Sequence, residues 1–148
     1  MKTDEALSKQ FKDLYDEWGA AIARQDIAWI ERHFASDFRG SAHPWPTLQV
    51  DRTQMLDLNR QITTMDVRWL SVTAQRFGNT VLASGVVEYT RESFTPGATI
   101  GEGMPTGDEL SQLVNGNRIL YTGAWRDTDG QWQIFDHHMV GIVNGFGR

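Results

Sequence analysis

The sequence predicts an α+β fold in which N-terminal helices pack inside a curved, mainly antiparallel sheet, so that the sheet forms a cone with an internal cavity. Two patterns predict it: apolar residues recur at helical spacing in the first third of the chain and alternate as in strands over much of the rest. The 148 residues suit one domain spanning 1–148. Six Trp, seven Phe and three Tyr supply large side chains for a core or a cavity wall.

Apolar residues mark one face of a first helix, which Asp4 or Thr3 can cap. These residues are Leu7, Phe11, Leu14, Tyr15, Trp18 and Ile22. Asp26 is placed to cap a second, short helix, which should form a bent pair with the first. Its apolar residues are Ile27, Ile30 and Phe34.

A segment with two prolines, 38–50, follows the helix pair and can hold at most a short edge strand. Asp51 and Gln54 have the spacing of a capping box, so a third helix should cover about 52–61. Alternation from Thr64 onward then predicts a long hairpin that turns at Gly78-Asn79.

The last third of the chain begins with a glycine-rich stretch, 95–117, which predicts an extended loop with one helical turn at 108–114. Two strands follow, at 118–126 and 131–143. The dipeptide Asp129-Gly130 between them is typical of a two-residue hairpin turn.

Several stretches of the sequence resemble the nuclear transport factor 2-like superfamily, and within it the SnoaL-like branch of small bacterial proteins. They are WGAAIARQDIAWIERHFASDF, RTQML, RFGNTVLASGVVEYT and YTGAWRDTDGQWQIFDHHMV. The last stretch carries the closing pattern Gly130, Trp132, Ile134 and His138. The resemblance implies the cone fold and a range of functions that includes isomerases, dehydratases, cyclases, dioxygenase subunits and non-enzymatic binders. Leu120 and the loop 95–117 depart from the family pattern.

Composition and motifs argue against several classes of function. The chain has 14 Lys plus Arg against 19 Asp plus Glu, and its net charge of -5 argues against nucleic acid and anionic membranes as partners. The absence of cysteine excludes thiolate metal sites and cysteine nucleophiles. No phosphate loop or dinucleotide motif is present, and His33 and His43 lack ligand spacing, so we expect neither a cofactor nor a metal.

The location of the protein is predicted from its apolar runs. None approaches the ~20 residues that span a bilayer, and the first ten residues lack the apolar core of a signal peptide. We therefore expect a cytoplasmic protein.

The last hairpin carries the candidate catalytic residues Tyr121, Asp136 and His138. With a two-residue turn, Tyr121 pairs with His138, and Asp136 faces a glycine, all on the cavity side. A carboxylate raises the basicity of a neighbouring imidazole, and a phenol can donate a hydrogen bond to an oxyanion. A three-residue turn with a bulge would reverse the facing, moving Asp136 and His138 to the side opposite Tyr121. We favour the first register.

Adjacent residues of a strand point to opposite faces, so His137 should lie on the outer face of the sheet. With Phe135 and Met139 it predicts a homodimer contact through that face. His33, in the second helix, should be a solvated surface residue, and Asp37 is a secondary candidate for a base.

The candidate substrate-binding residues are mostly aromatic: Trp18, His43, Trp45, Trp69, Glu88 and Trp125. Glu88 should pair with Trp69 across the long hairpin. If Glu88 points inward it is a candidate base with a raised pKa, but the outward orientation is favoured.

These residues predict a cofactor-independent acid/base enzyme of the lyase or isomerase type. Its substrate should be a small hydrophobic hydroxyl or carbonyl compound, aromatic or polycyclic. The alternatives are a non-catalytic binding protein for a small hydrophobic molecule, or a small subunit that docks on another protein.

Overall fold

Four helices and six strands make up the computed structural model, which describes residues 4–42 and 44–146. Their order is α1 (Glu5–Ala23), α2 (Ile27–His33), β1 (Phe34–Ala42), β2 (Trp45–Asp51), α3 (Arg52–Arg60), β3 (Ile62–Phe77), β4 (Thr80–Phe94), α4 (Gly107–Val114), β5 (Arg118–Thr128) and β6 (Gln131–Ile142). The strands form one sheet in the order β2-β1-β6-β5-β4-β3. Helix α1 packs against this sheet, which confirms the predicted α+β class.

The side chains predicted as N-caps begin the helices as expected. Asp4 and Asp26 accept hydrogen bonds from backbone N–H groups in the first turns of α1 and α2. Asp51 and Gln54 form the predicted capping box of α3, and Thr106 begins α4 with a second one. All six apolar residues predicted for the buried face of α1 are buried.

Strand β1 is the main element that the sequence did not predict. Phe34 follows Ile30 by four residues, so it continues the helical apolar pattern, but α2 ends at His33 and Phe34 begins a nine-residue strand. Phe34 and Phe38 both lie in the core with their rings stacked 4.9 Å apart. β1 runs parallel to β6, whereas every other strand pair is antiparallel. β2 is an edge strand, as expected for a proline-containing segment.

Both predicted hairpin turns are present. Phe77 pairs with Thr80 around Gly78-Asn79. Thr128 pairs with Gln131 around Asp129-Gly130, whose φ angles of 53° and 84° are those of a type I′ turn.

Extra residues interrupt the ladders beyond these turns and reverse the facing of the side chains that follow. Phe135 is inserted in β6, because Trp125 pairs with Ile134 but Ala124 pairs with Asp136. Thr90 is inserted in β4 in the same way, and Leu70 in β3. Each is a β-bulge, in which two residues of one strand oppose one of its neighbour.

The aromatic residues of α1 meet those of the sheet at the centre of the core. Tyr15 is buried between the rings of Trp69 and Trp125, and its hydroxyl oxygen accepts a hydrogen bond from Trp125 Nε1 at 3.1 Å. Gly123 makes this contact possible, since a Cβ there would lie 2.7 Å from the Tyr15 hydroxyl.

Among the helices that the structure describes, none combines the length and the apolar character that a membrane span requires.

Candidate functional site

A cavity of about 140 Å³ lies between the helices and the inner face of the sheet. Its wall is mostly aromatic and aliphatic, and Met55, Met65 and Met139 contribute to it. Apart from the tryptophans, few residues of the wall carry polar side chains: Tyr15, Ser41, Asn59, Tyr89, Glu92, Tyr121 and His137. No Lys or Arg belongs to the wall among the residues that the structure describes.

Glu92 is the only carboxyl on this wall within the described ranges. The Thr90 bulge turns it inward, and only 8% of the residue is exposed. Asn115 fixes the Glu92 backbone by accepting from its N–H at 2.7 Å and donating to its carbonyl at 3.0 Å. No described residue forms a hydrogen bond or ion pair with the carboxylate itself. Burial raises the pKa of Glu92 to about 7.

Two tyrosine hydroxyls form a hydrogen-bonded pair in the cavity. The oxygens of Tyr89 and Tyr121 are 2.8 Å apart. Burial and the negative charge of nearby Glu92 raise the pKa of both phenols, so both are protonated at neutral pH. Because one hydroxyl donates to the other, the second retains a proton that it can donate to a ligand.

His137 completes the polar part of the wall. Its ring stacks on Tyr121 with centroids 4.8 Å apart and lies 5.0 Å from the ring of Trp18. Its Nδ1 is buried and has no hydrogen-bond partner among the described residues. Burial lowers the pKa of His137 to about 3, so the imidazole is neutral at neutral pH.

Asn59 links two walls of the cavity. This buried side chain accepts a hydrogen bond from Trp18 Nε1 at 3.4 Å and donates to the carbonyl of Met55 at 2.7 Å. It therefore orients the indole that faces the cavity.

Three of the predicted site residues do line the cavity: Trp18, Trp69 and Tyr121. Trp125 is fully buried in the core but is not part of the wall, and Trp45 is half-buried away from it. His43 lies outside the described residues.

Glu88 points away from the cavity, which is the orientation favoured from the sequence. Its carboxylate pairs with Arg118 at 3.0 Å and Arg68 at 3.3 Å. The Leu70 bulge shifts the register, so Trp69 pairs with Val87 and not with Glu88. Asp37 is also an exposed ion-pair residue, 3.0 Å from Arg126.

The predicted placement of Asp136 and His138 in the cavity is wrong. The turn is the favoured two-residue one, but the Phe135 bulge shifts the ladder, so His138 pairs with Thr122 and both residues face outward. The alternative register predicted this outward orientation, but from a bulge at the turn, whereas the structure has the bulge at Phe135 within the strand. Asp136 and His138 do contact each other, with 2.8 Å between Oδ1 and Nε2.

Two further histidine placements are also wrong. His137 and Met139 face the cavity and are 8% and 9% exposed, so they cannot form the predicted outer contact. His33 is buried, not solvated. It stacks on Trp29 with ring centroids 3.7 Å apart and has Gln131 Nε2 3.0 Å from its Nε2.

Sequence patterns alone did not identify Glu92, Tyr89 and Asn59 as cavity residues. Simple alternation from Tyr89 along β4 puts Glu92 on the outer face, and only the bulge at Thr90 reverses this. Asn59 had a detectable signal, since it lies three residues after Leu56 on the helix that the capping box predicted. In the described ranges, no three His, Asp or Glu side chains lie close enough to hold a metal ion.

Comparison with solved structures shows the fold that the chain shares with NTF2-like proteins. An NTF2-like protein from Cytophaga hutchinsonii is 14% identical, with a TM-score of 0.68 over 91% of this chain and 97% of that one. An NTF2-like protein of unknown function from Pseudomonas putida is 19% identical, with a TM-score of 0.59 over 93% and 88%. An uncharacterized protein with a cystatin-like fold from Caulobacter vibrioides is 13% identical, with a TM-score of 0.63 over 90% and 87%. No protein-family model and no curated protein matches the sequence.

Proposed function

We propose that the protein is a cofactor-independent acid/base enzyme of the lyase or isomerase type, and that Glu92 accepts and returns the proton within the cavity. The observation that carries the proposal is the Glu92 carboxyl, which is buried on an apolar cavity wall without a partner and lies near a pair of tyrosine hydroxyls. Glu92 takes the role of base that the sequence assigned to Asp136 and His138, because those two residues face outward.

The surroundings suit Glu92 to general-base work. A base is most effective when its pKa is close to the working pH, and burial raises the pKa of Glu92 to about 7. The same burial excludes water, which would otherwise compete for the proton.

The Tyr89–Tyr121 pair supplies the second function that proton abstraction beside a carbonyl needs. When a base removes the proton, negative charge develops on the carbonyl oxygen, and a positioned hydroxyl stabilises it. Proton return to another carbon completes an isomerisation, and loss of a neighbouring hydroxyl completes a dehydration. His137, stacked on Tyr121, acts as a positioning residue that holds the phenol ring.

The cavity wall also limits the substrate. An anionic ligand would meet Glu92 and, within the described residues, no Lys or Arg, so the substrate should be uncharged. The volume of about 140 Å³ is close to that of an engineered apolar cavity of ~150 Å³ that binds benzene. We therefore narrow the predicted aromatic or polycyclic compound to a single ring that carries a carbonyl or hydroxyl.

A second candidate function is non-catalytic binding of such a molecule. It is favoured by the mostly apolar wall, to which three methionines and the rings of Trp18 and Trp69 contribute. In that case the tyrosine pair and Glu92 would only orient the ligand.

Deuterium exchange separates the two functions. Cyclohexanone and acetophenone are incubated with the protein in D₂O, and loss of the proton next to the carbonyl is followed by NMR. Tryptophan fluorescence measures binding of the same ketones. We expect exchange above the buffer rate, and a loss of about 100-fold in Glu92→Gln with little change in binding.

Glu88→Gln is the matched control, since it removes a carboxyl from the same strand on the outer face. Binding without exchange in the wild-type protein would favour the non-catalytic alternative. Exchange that survives Glu92→Gln would overturn the role of Glu92.

A further inference from the structure

A second polar cluster lies on the outer face of the sheet, where β1 and β6 run side by side. Ser41 Oγ is 2.6 Å from His138 Nδ1, and His138 Nε2 is 2.8 Å from Asp136 Oδ1. We call these three residues the outer-face cluster. It is distinct from the acid/base groups of the cavity: His138 and Asp136 are not part of the cavity wall, and Ser41, although a wall residue, has its hydroxyl hydrogen-bonded to His138.

The sheet brings these residues together through two features. Ser41 and His138 are directly paired in the parallel β1–β6 ladder. Asp136 and His138 are two residues apart on β6, so they share a face, and the Phe135 bulge makes that face the outer one. The side chains of His138 and Asp136 are 36% and 42% exposed, which leaves the cluster open to solvent.

The hydrogen bonds define a path for a proton. The Ser41 hydroxyl can donate to His138 Nδ1 only if that nitrogen is unprotonated, and the neutral ring then carries its proton on Nε2 and donates it to Asp136. The carboxylate orients the imidazole and stabilises the imidazolium that forms when it takes the serine proton. In the usual serine triad Nε2 faces the serine and Nδ1 faces the aspartate, whereas here Nδ1 faces Ser41 and Nε2 faces Asp136. The order of donors and acceptors is the same.

We propose that the outer-face cluster is a second active site, in which Ser41 is an acyl-accepting nucleophile and His138 its general base. Ser41 Oγ attacks the carbonyl carbon of an ester as its proton passes to His138 Nδ1. The imidazolium then protonates the departing alkoxide, leaving an acyl group on Ser41. Water repeats the sequence and releases a carboxylic acid, which regenerates the serine.

The position of the cluster indicates the class of substrate. It lies on an open sheet face, so it suits short, unhindered acyl esters with a good leaving group. Arg39 lies two residues before Ser41 on β1, so it shares the face of Ser41 and is the nearest cationic donor by register for the oxyanion. Asp136 is a positioning residue, because it acts through His138.

A fluorophosphonate probe tests the proposal directly, because it phosphonylates activated serines and is detected by mass spectrometry of the intact chain and its peptides. We expect one adduct, on Ser41, that is absent in Ser41→Ala. His138→Gln should slow labelling by about 100-fold. Asp136→Asn should slow it less and shift its dependence on pH. Labelling is followed over a dilution series, since the outer face is also the predicted dimer contact.

A second measurement uses Ser41→Cys, which places a more reactive nucleophile at the same position. Iodoacetamide should alkylate this cysteine faster than the one in Ser41→Cys combined with His138→Gln, because the imidazole favours the thiolate. Equal rates, an adduct on another residue, or no adduct at any dilution would overturn the proposal. Ester hydrolysis that survives Ser41→Ala but not His138→Gln would assign the activity to the imidazole alone and would also overturn it.

Discussion

At Glu92, burial opposes the ionised carboxylate, and within the described part of the chain no cation offsets this effect. The pKa is about 7 in the folded protein, against 4.5 for an ordinary glutamate. The folded state therefore holds this proton more tightly than the unfolded state does. As pH rises from about 4.5 to 7, stability is lost, and above pH 7 the loss is complete.

The substitution Glu92→Gln removes the ionisable carboxyl, so it tests whether ionisation of Glu92 lowers the stability of the folded protein. We expect the variant to become more stable relative to the wild-type protein as pH increases from 4 to 8, by up to about 3 kcal/mol in total. Urea unfolding at several pH values measures the difference. Glu88→Gln is the control, and its ion pairs should change stability by no more than ~1 kcal/mol. A constant difference between Glu92→Gln and wild type would show that Glu92 titrates normally.

His137 has the opposite effect on stability. The pKa of His137 is about 3 in the folded protein, against 6.5 for an ordinary histidine. Between these two pH values the imidazole is protonated in the unfolded state but not in the folded state. Stability from this group is present above pH 6.5 and is lost as pH falls toward 3. The two effects oppose each other between about pH 4.5 and 6.5. For this reason the wild-type pH profile alone cannot reveal either residue, and the comparison of variants is needed.

Chemical modification distinguishes the two adjacent histidines. Diethyl pyrocarbonate reacts with exposed, unprotonated imidazoles. We expect it to modify His138, whose side chain is 36% exposed, but not His137, which is 8% exposed. Peptide mapping by mass spectrometry identifies the product. Modification of His137 at the rate of His138 in the folded protein would show that the strand faces the other way.

Among the elements, β-bulges decide which side chains reach the cavity. The sequence correctly predicts helices α1, α2 and α3, both hairpin turns and the inward position of Trp18, because each depends on local periodicity or turn chemistry. A bulge depends on how two distant strands meet, so alternation cannot detect it. Glu92 and His137 both follow a bulge, which is why neither was predicted to face inward.

Strand β4 has a close contact that a single methyl group can test. A Cβ at Gly85 would lie 2.7 Å from the Trp69 ring, whereas nothing lies within 4 Å of a Cβ at Gly141. Gly85→Ala should therefore cost about 1–3 kcal/mol of stability and weaken ligand binding, because the displaced indole lines the cavity. Gly141→Ala, also in a strand, is the control and should change stability by less than ~0.5 kcal/mol. Thermal and urea unfolding measure both, and equal stability of the two variants would contradict the packing of Trp69.

In the molecule as a whole, the cone fold follows from the order of the elements, while the chemistry of its interior does not. The α+β class and the aromatic cavity wall were predicted from composition and periodicity. The size of the cavity and the sign of its charge depend on how α1, α3 and α4 close over the sheet, which one sequence does not specify.

The size and charge of the cavity predict its ligand selectivity. Benzyl alcohol, benzoate and 2-naphthalenemethanol form a matched set that differs in charge or in one ring. At pH 8 we expect benzyl alcohol to bind at least about 10-fold more tightly than the other two, since benzoate meets ionised Glu92 and a cavity of this size accommodates one aromatic ring better than two. Quenching of tryptophan fluorescence gives the affinities. Tighter binding of benzoate or of the two-ring alcohol would contradict this description of the cavity.

The central claim is that the interior of the cone holds a carboxyl group able to exchange a proton near neutral pH. Carbon-13 NMR of glutamate-labelled protein tests it most directly, with the Glu92 carboxyl signal assigned as the one missing from Glu92→Gln. We predict that this signal titrates with a pKa of about 7. A midpoint near the ordinary glutamate pKa of 4.5 would contradict the claim and remove Glu92 as the proposed base.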